Sequence, residues 1–140
     1  MIRYAAAILW TLVIFAASSD LFSAQHTGNT LQMLATAILG HPLSETTYEL
    51  TQYAMRKLAH LTEYGILGWL WLRALRGERR EWTLRWPMIA VLIALAVAAT
   101  DEFHQSFVPS RTSSPLDVVI DCCGAVLAQL LARRPSSSRA

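Results

Sequence analysis

Charge is what this sequence has least of. Asp, Glu, Lys and Arg make up 16% of its 140 residues, whereas a soluble domain carries about 25% and needs them to keep its surface wet. The shortfall is concentrated in long apolar runs, which excludes a disordered chain and argues against a soluble globule. Cysteine is confined to Cys122 and Cys123, adjacent in an apolar stretch. Neighbours on one helix point in different directions, so a disulfide between them fits poorly. With no C-x-x-C spacing, zinc-ribbon and thioredoxin-like readings lose their signature too. Both cysteines read as small apolar packing residues. No basic helix with interleaved aromatics is present, so no nucleic-acid partner is expected. No Gly-x-Ser-x-Gly or other recognised nucleophile motif occurs, which leaves covalent catalysis unsupported. The absence of an internal repeat weighs against an inverted-repeat transporter.

What the chain does have is apolar sequence in spans of membrane length. About 20 residues cross a hydrocarbon core of about 30 Å. The runs predict an all-α polytopic membrane bundle of about four transmembrane helices, at roughly 2–19, 56–75, 86–105 and 116–132, within a single domain covering 1–140. The first run, after Arg3 and ending in Phe15-Ala16-Ala17-Ser18-Ser19, also has the layout of a signal peptide. Either reading directs the residues after it out of the cytoplasm.

Between the first two spans, Leu31, Leu34, Ala35, Ile38 and Leu39 recur at helical spacing and predict a short amphipathic helix at the membrane interface. Gly40 and Pro42 close it. Thr46 and Glu49 then form a capping-box pattern that predicts a long helix from about Thr47 to Leu75. Trp69 and Trp71 near its far end suit a membrane–water boundary.

The arginines set the orientation. Arg3, Arg73, Arg76, Arg79, Arg80, Arg85, Arg133, Arg134 and Arg139 collect on one side, and Arg56, Lys57 and Arg111 on the other. The positive-inside rule puts both termini and the arginine-rich loop in the cytoplasm and the opposite loops outside.

Three separated stretches bring polar groups to that outer end. The second span supplies Arg56, Lys57, His60, Glu63 and Tyr64. The third supplies Asp101, Glu102, His104 and Gln105. The loop and fourth span supply Arg111, Ser113, Ser114, Asp117 and Asp121. Helical spacing puts Lys57, His60 and Tyr64 on one stripe, with Arg56, His60 and Glu63 on an overlapping one. Asp101 stands one turn from both His104 and Gln105. Asp117, Asp121, Gly124 and Ala128 form a further stripe whose small residues suit close helix approach.

Ionisable groups at membrane depth cost roughly 2.5–3.5 kcal/mol each on translocon scales, so an inward cluster reads by default as a functional site. The plainer alternatives are that Arg56 and Lys57 only hold interfacial phosphates, that Asp117 only caps its helix, and that the remainder is an ion-pair network fixing helix register.

These residues resemble the VanZ-like family of bacterial integral membrane proteins. The resemblance is carried by Arg56-Lys57-Leu58-Ala59-His60-Leu61-Thr62-Glu63-Tyr64-Gly65-Ile66-Leu67-Gly68, then by the run from Asp101 to Arg111 (DEFHQSFVPSR). It closes with Asp117-Val118-Val119-Ile120-Asp121-Cys122-Cys123-Gly124-Ala125. It implies a small multi-helix protein of the inner membrane. The family takes its name from a member associated with teicoplanin resistance, a property not carried over to this chain. Ser110 stands where the family often has glycine, Asp121 where asparagine is common, and Ala128 where a second glycine is frequent. The first two departures bear on loop geometry and local charge.

Three functions compete at this stage. In an enzyme acting on an envelope lipid or lipid-linked glycan, His60 or His104 is the general acid or base and Glu63, Glu102 or Asp101 orients it. Arg56, Lys57 and Arg111 then hold an anionic headgroup, beside Tyr64, Gln105, Asp117 and Asp121. A metal variant uses His60-x-x-Glu63 with Glu102-x-His104 and Asp117 as ligands to a divalent ion. A binding protein uses the same pocket without turnover. A transporter is the third reading, requiring a homodimer, for which the Gly124 and Ala128 stripe is one route.

Overall fold

The structure, a computed structural model, describes residues 2–18, 24–79, 81–108 and 113–133, apart from the side chains of 24–27. Among the described residues there are five helices and no strand. They are α1 (Ile2–Ala17), α2 (Ala24–Leu39), α3 (Glu45–Arg76), α4 (Arg85–Gln105) and α5 (Pro115–Ala132).

Each boundary has a local cause. Gly40 ends α2 with φ of 77°, a left-handed conformation that glycine adopts without a Cβ penalty, and its N–H donates to the Thr36 carbonyl. The next helix starts two residues earlier than the Thr46 capping pattern suggests. Ser44, in extended backbone, accepts a hydrogen bond from the Thr47 N–H at 3.4 Å, and Glu45 already lies in the first turn. Ser44 is therefore the cap, its serine hydroxyl meeting one of the four orphan N–H groups. Ser114 caps α5 in the same way, accepting from the Leu116 N–H at 3.3 Å with Pro115 beginning the helix. Asp117 is thereby released from the capping role.

The helices differ in what a bilayer asks of them. By length and composition α4 and α5 qualify as membrane spans; α1 is apolar but has 16 residues, about 24 Å of helix. The 32 residues of α3 make about 48 Å, more than a hydrocarbon core, but its first turns carry Glu45, Glu49, Arg56 and Lys57. Four spans were expected from the sequence, and two helices meet that test on their own.

The apolar contact faces of α4 and α5 are made mainly of small residues. Along α4, Ala90, Ala94 and Ala98 are buried while Met88 and Leu92 face outward. Along α5, Gly124 and Ala125 are buried while Leu127, Leu130 and Leu131 are exposed. A water-soluble core puts large side chains inside. Large apolar groups outside and small ones at helix contacts are the pattern of helices packed in lipid. Both this pattern and the two apolar helices point to a membrane environment.

The long α3 packs against all four other helices, with its most extensive contacts to α5. The backbones meet at Gly124, where an added Cβ would stand 2.2 Å from the Leu61 carbonyl oxygen. Tyr64 and Leu67 of α3 join Ile14, Ala94, Ala98 and Ala125 in the apolar core. The indole N–H of Trp10 ties α1 to the Glu63 carbonyl at 2.9 Å.

Candidate functional site

Above that core, toward the N-terminal ends of α3 and α5 and the C-terminal end of α4, the interior turns polar. His60, Asp101, Glu102, Gln105, Asp117 and Asp121 are all buried there, the three aspartates to 1% exposure. Helical geometry supplies them. His60 and Tyr64 are one turn apart on the buried face of α3, and Asp117 and Asp121 one turn apart on that of α5.

Each carboxylate has a separate partnership. Asp117 lies between two cations, in an ion pair with Lys57 and 3.6 Å from an Arg56 nitrogen. Arg56 also donates to the Gln105 side-chain oxygen at 3.3 Å. Asp121 faces Nδ1 of His60 at 3.0 Å. Asp101 accepts from Ser18 at 2.8 Å and Gln105 at 3.0 Å, with the Tyr64 hydroxyl at 3.5 Å. Glu102 accepts from the Ser113 hydroxyl at 2.9 Å and the Ser114 N–H at 2.7 Å, which ties the end of α4 to the start of α5.

In every case one oxygen is hydrogen-bonded and its twin is not, although the second oxygen of Asp117 keeps the Arg56 ion pair. Asp101 Oδ1, Glu102 Oε1, Asp117 Oδ2 and Asp121 Oδ2 are buried with no hydrogen-bond partner among the described residues. An unsatisfied buried polar atom costs about 1–3 kcal/mol, more when charged. Three such atoms in one junction, beside an Asp117 oxygen held only by a 3.6 Å ion pair, are an expensive feature for a purely architectural network.

The fold thus gathers Arg56, Lys57, His60, Tyr64, Asp101, Glu102, Gln105, Asp117 and Asp121 of the sequence-derived set. It does not gather all of it. His104 is exposed on α4, because of the two residues one turn from Asp101 it is Gln105 that faces inward. Glu63 is half-buried, on the α3 flank that meets Trp10. The partner of His60 is Asp121 rather than Glu63, Glu102 or Asp101, and Arg111 lies outside the described residues. The donor group that comes together is His60, Glu102 and Asp117, with one ligand atom from each within 4.8 Å of the others. That trio replaces the expected His60–Glu63 and Glu102–His104 pairs.

Ser18 is the participant that sequence reading missed. It donates to Asp101 and accepts from Gln105 at 3.3 Å. Its only signal is a hydroxyl at the end of an apolar run, where small residues also fit a cleavage site.

A cleft of about 660 Å³ opens at the other end of α3 and α5, lined by Trp69, Arg73, Arg76, Arg79 and Leu131. Its lining is dominated by arginines, with Glu78 its one acid, and it holds no imidazole. The buried carboxylates and His60 lie at the opposite end.

The sequence model of the VanZ/LLP1 family matches residues 2–134, nearly the whole chain. The chain belongs to the VanZ/LLP1 family. No curated protein and no solved structure matches it. The VanZ/LLP1 match includes α1 and α2, where the sequence motifs are silent, and so joins Ser18 to the same unit as the three motif-bearing helices.

Proposed function

We propose that this VanZ-like protein crosses the bacterial inner membrane four times and uses its polar junction, near the outer face, to act on an envelope lipid or lipid-linked cell-wall precursor by hydrolysis or group transfer. The observation that carries this reading is the set of four buried carboxylates, each with an oxygen that makes no hydrogen bond, beside a histidine. Such groups at membrane depth are retained at a cost, and function is the usual return.

The topology follows from charge. Arg3, Arg73, Arg76, Arg79, Arg85 and Arg133 fall at the end remote from the carboxylates, which makes that end cytoplasmic. Arginine–tryptophan contacts there, Arg73 over Trp69 at 4.7 Å and Arg79 over Trp86 at 5.1 Å, suit a headgroup boundary. In this arrangement the polar start of α3 projects beyond the hydrocarbon, and α1 completes the set of spans.

At the site, Arg56 and Lys57 are the partly exposed cations, 25% and 17% accessible. They meet the anionic headgroup, with Arg111 of the adjoining loop as a third candidate. His60 is oriented by Asp121 through Nδ1, leaving Nε2 for the reacting group. Glu102 and Asp101 line the same space, and Tyr64 and Gln105 position Asp101.

Binding without turnover is the second reading. It is favoured by the pairing of both cations with Asp117 and of His60 with Asp121, a network already joined to itself. The two separate in one experiment. Purified protein is incubated with extracted bacterial envelope lipids, with and without divalent metal, and every lipid species is followed by mass spectrometry. The control is a His60→Ala, Glu102→Ala double variant. A species consumed only by the unmodified protein establishes the enzyme. A lipid that co-purifies unchanged and is lost from the variant establishes the binding role. If neither occurs, the lipid reading fails.

A further inference from the structure

Three helices converge on one small volume. His60 of α3, Glu102 of α4 and Asp117 of α5 are all buried, and one donor atom of each lies within 4.8 Å of the other two. Residues far apart in sequence, 60, 102 and 117, offer one nitrogen and two oxygens to the same point.

We infer that this junction binds a divalent transition-metal ion of the zinc or manganese class, with His60, Glu102 and Asp117 as its ligands. The inference deepens the lipid-directed reading of the same site, but it is tested through metal binding alone.

The supporting contacts are those a ligand set needs. A ligating histidine almost always gives its second ring nitrogen to a carboxylate or carbonyl, which fixes the ring and its tautomer. His60 does this with Nδ1 against Asp121 at 3.0 Å, so Nε2 carries the free lone pair. Ligating carboxylates are themselves held by hydrogen bonds. Glu102 is held through Oε2 by Ser113 and Ser114, while Oε1 is buried without a partner. Asp117 is held through Oδ1 by Lys57, while Oδ2 makes no hydrogen bond and has only the Arg56 ion-pair contact at 3.6 Å. Each ligand thus has one atom engaged in a positioning hydrogen bond or ion pair and one that makes no hydrogen bond, Asp117 Oδ2 having to exchange its Arg56 contact for the ion.

Charge points the same way. Asp101, Glu102, Asp117 and Asp121 are buried together, and Arg56 and Lys57 are the cations paired with them among the described residues. Both cations are paired with Asp117, so with a neutral His60 the carboxylates of Asp101, Glu102 and Asp121 have no cation of their own among the described residues, and a divalent ion supplies positive charge there.

Donor chemistry selects the class of metal. Imidazole with carboxylates suits zinc, iron or manganese, whereas magnesium and calcium prefer oxygen alone. Bonds of about 2.1 Å put ligand atoms on one ion at most about 4.2 Å apart. The present spacing therefore contracts by a few tenths of an ångström on binding, within the reach of side-chain rotation.

The test uses the full chain, purified in detergent without a polyhistidine tag. Metal content is measured by mass spectrometry, and the chelator-stripped protein is then titrated with Zn²⁺, Mn²⁺, Mg²⁺ and, for its absorption spectrum, Co²⁺. The expected result is one transition-metal equivalent per chain and a cobalt spectrum showing nitrogen and oxygen ligation. His60→Ala and Glu102→Gln should abolish both. Asp121→Asn, which removes only the group orienting His60, should weaken affinity by about 10–100-fold. His41→Ala, an exposed histidine outside the cluster, should change nothing. Size-exclusion elution and helical circular dichroism identify any variant that has merely unfolded, and the unmodified protein and Asp121→Asn then carry the result. Absence of stoichiometric transition metal on the unmodified protein overturns the inference. So does binding that folded His60→Ala retains, or a preference for magnesium. Metal bound with no lipid consumed or retained leaves the inference standing and removes the lipid reading; lipid turnover by metal-free protein does the reverse.

Discussion

Gly124→Ala tests the helix packing on which the site depends. A Cβ at this position would lie 2.2 Å from the Leu61 carbonyl oxygen, 3.0 Å from its carbon and 3.2 Å from the Gly65 nitrogen. All three are backbone atoms of α3, so no rotamer change relieves the clash. Ordinary contact begins near 3.4 Å, and α3 and α5 must separate by roughly 1 Å to restore it. Overpacking of this kind costs about 1–3 kcal/mol. The same displacement stretches the 3.0 Å contact between His60 and Asp121 beyond hydrogen-bond range, adding about 1 kcal/mol. The expected loss is therefore about 3 kcal/mol, read from reversible unfolding in mixed micelles. Gly65→Ala is the internal comparison. Its added Cβ would meet the Gly124 oxygen at 3.4 Å, so it should cost less than about 1 kcal/mol. A Gly124→Ala protein as stable as the parent, or one less affected than Gly65→Ala, would refute the argument that backbone proximity sets this helix crossing.

Two further outcomes are expected. Asp117→Asn should destabilise more than Lys57→Met in the same unfolding assay, by about 3 kcal/mol relative to the parent, because it leaves both Arg56 and Lys57 facing a neutral side chain; equal effects would show that Arg56 gains nothing from Asp117. In a Cys122→Ala, Cys123→Ala background, Glu45→Cys should react with a membrane-impermeant maleimide in intact cells and Glu78→Cys should not, since they lie at opposite ends of α3 and its loop; labelling of Glu78→Cys alone would invert the proposed orientation.

Much of this architecture was legible in the residues, for identifiable reasons. Apolar runs located α1, α4 and α5 to within a residue or two, because each is a long stretch with few polar positions, bounded by charged or helix-breaking residues. The stripe of Lys57, His60 and Tyr64 was readable from helical spacing alone. Other features were degenerate in one dimension. Asp101 has two partners one turn away, and only the rotation of α4 about its axis selects Gln105 over His104. Ser44 and Thr46 both offer a capping hydroxyl, and the extended backbone after Pro42 and Leu43 favours the first. The pairing of His60 with Asp121 depends on the crossing of two helices whose contact point is a glycine, and no local periodicity encodes it. Ser18 was unreadable because a hydroxyl ending an apolar helix has several ordinary explanations.

The partnerships of α3 also set an order of events during synthesis. Lys57 and His60 find their acidic partners 60 and 61 residues later in the chain. When α3 leaves the ribosome, α5 does not yet exist, and the helix carries a bare ammonium, a guanidinium and an imidazole that its own apolar residues do not offset. In the four-span arrangement, α3 therefore waits at the translocon or the membrane surface until α5 arrives with Asp117 and Asp121. Chains cut short before α5 should leave α3 outside the bilayer, exposed to the membrane proteases that remove unassembled segments.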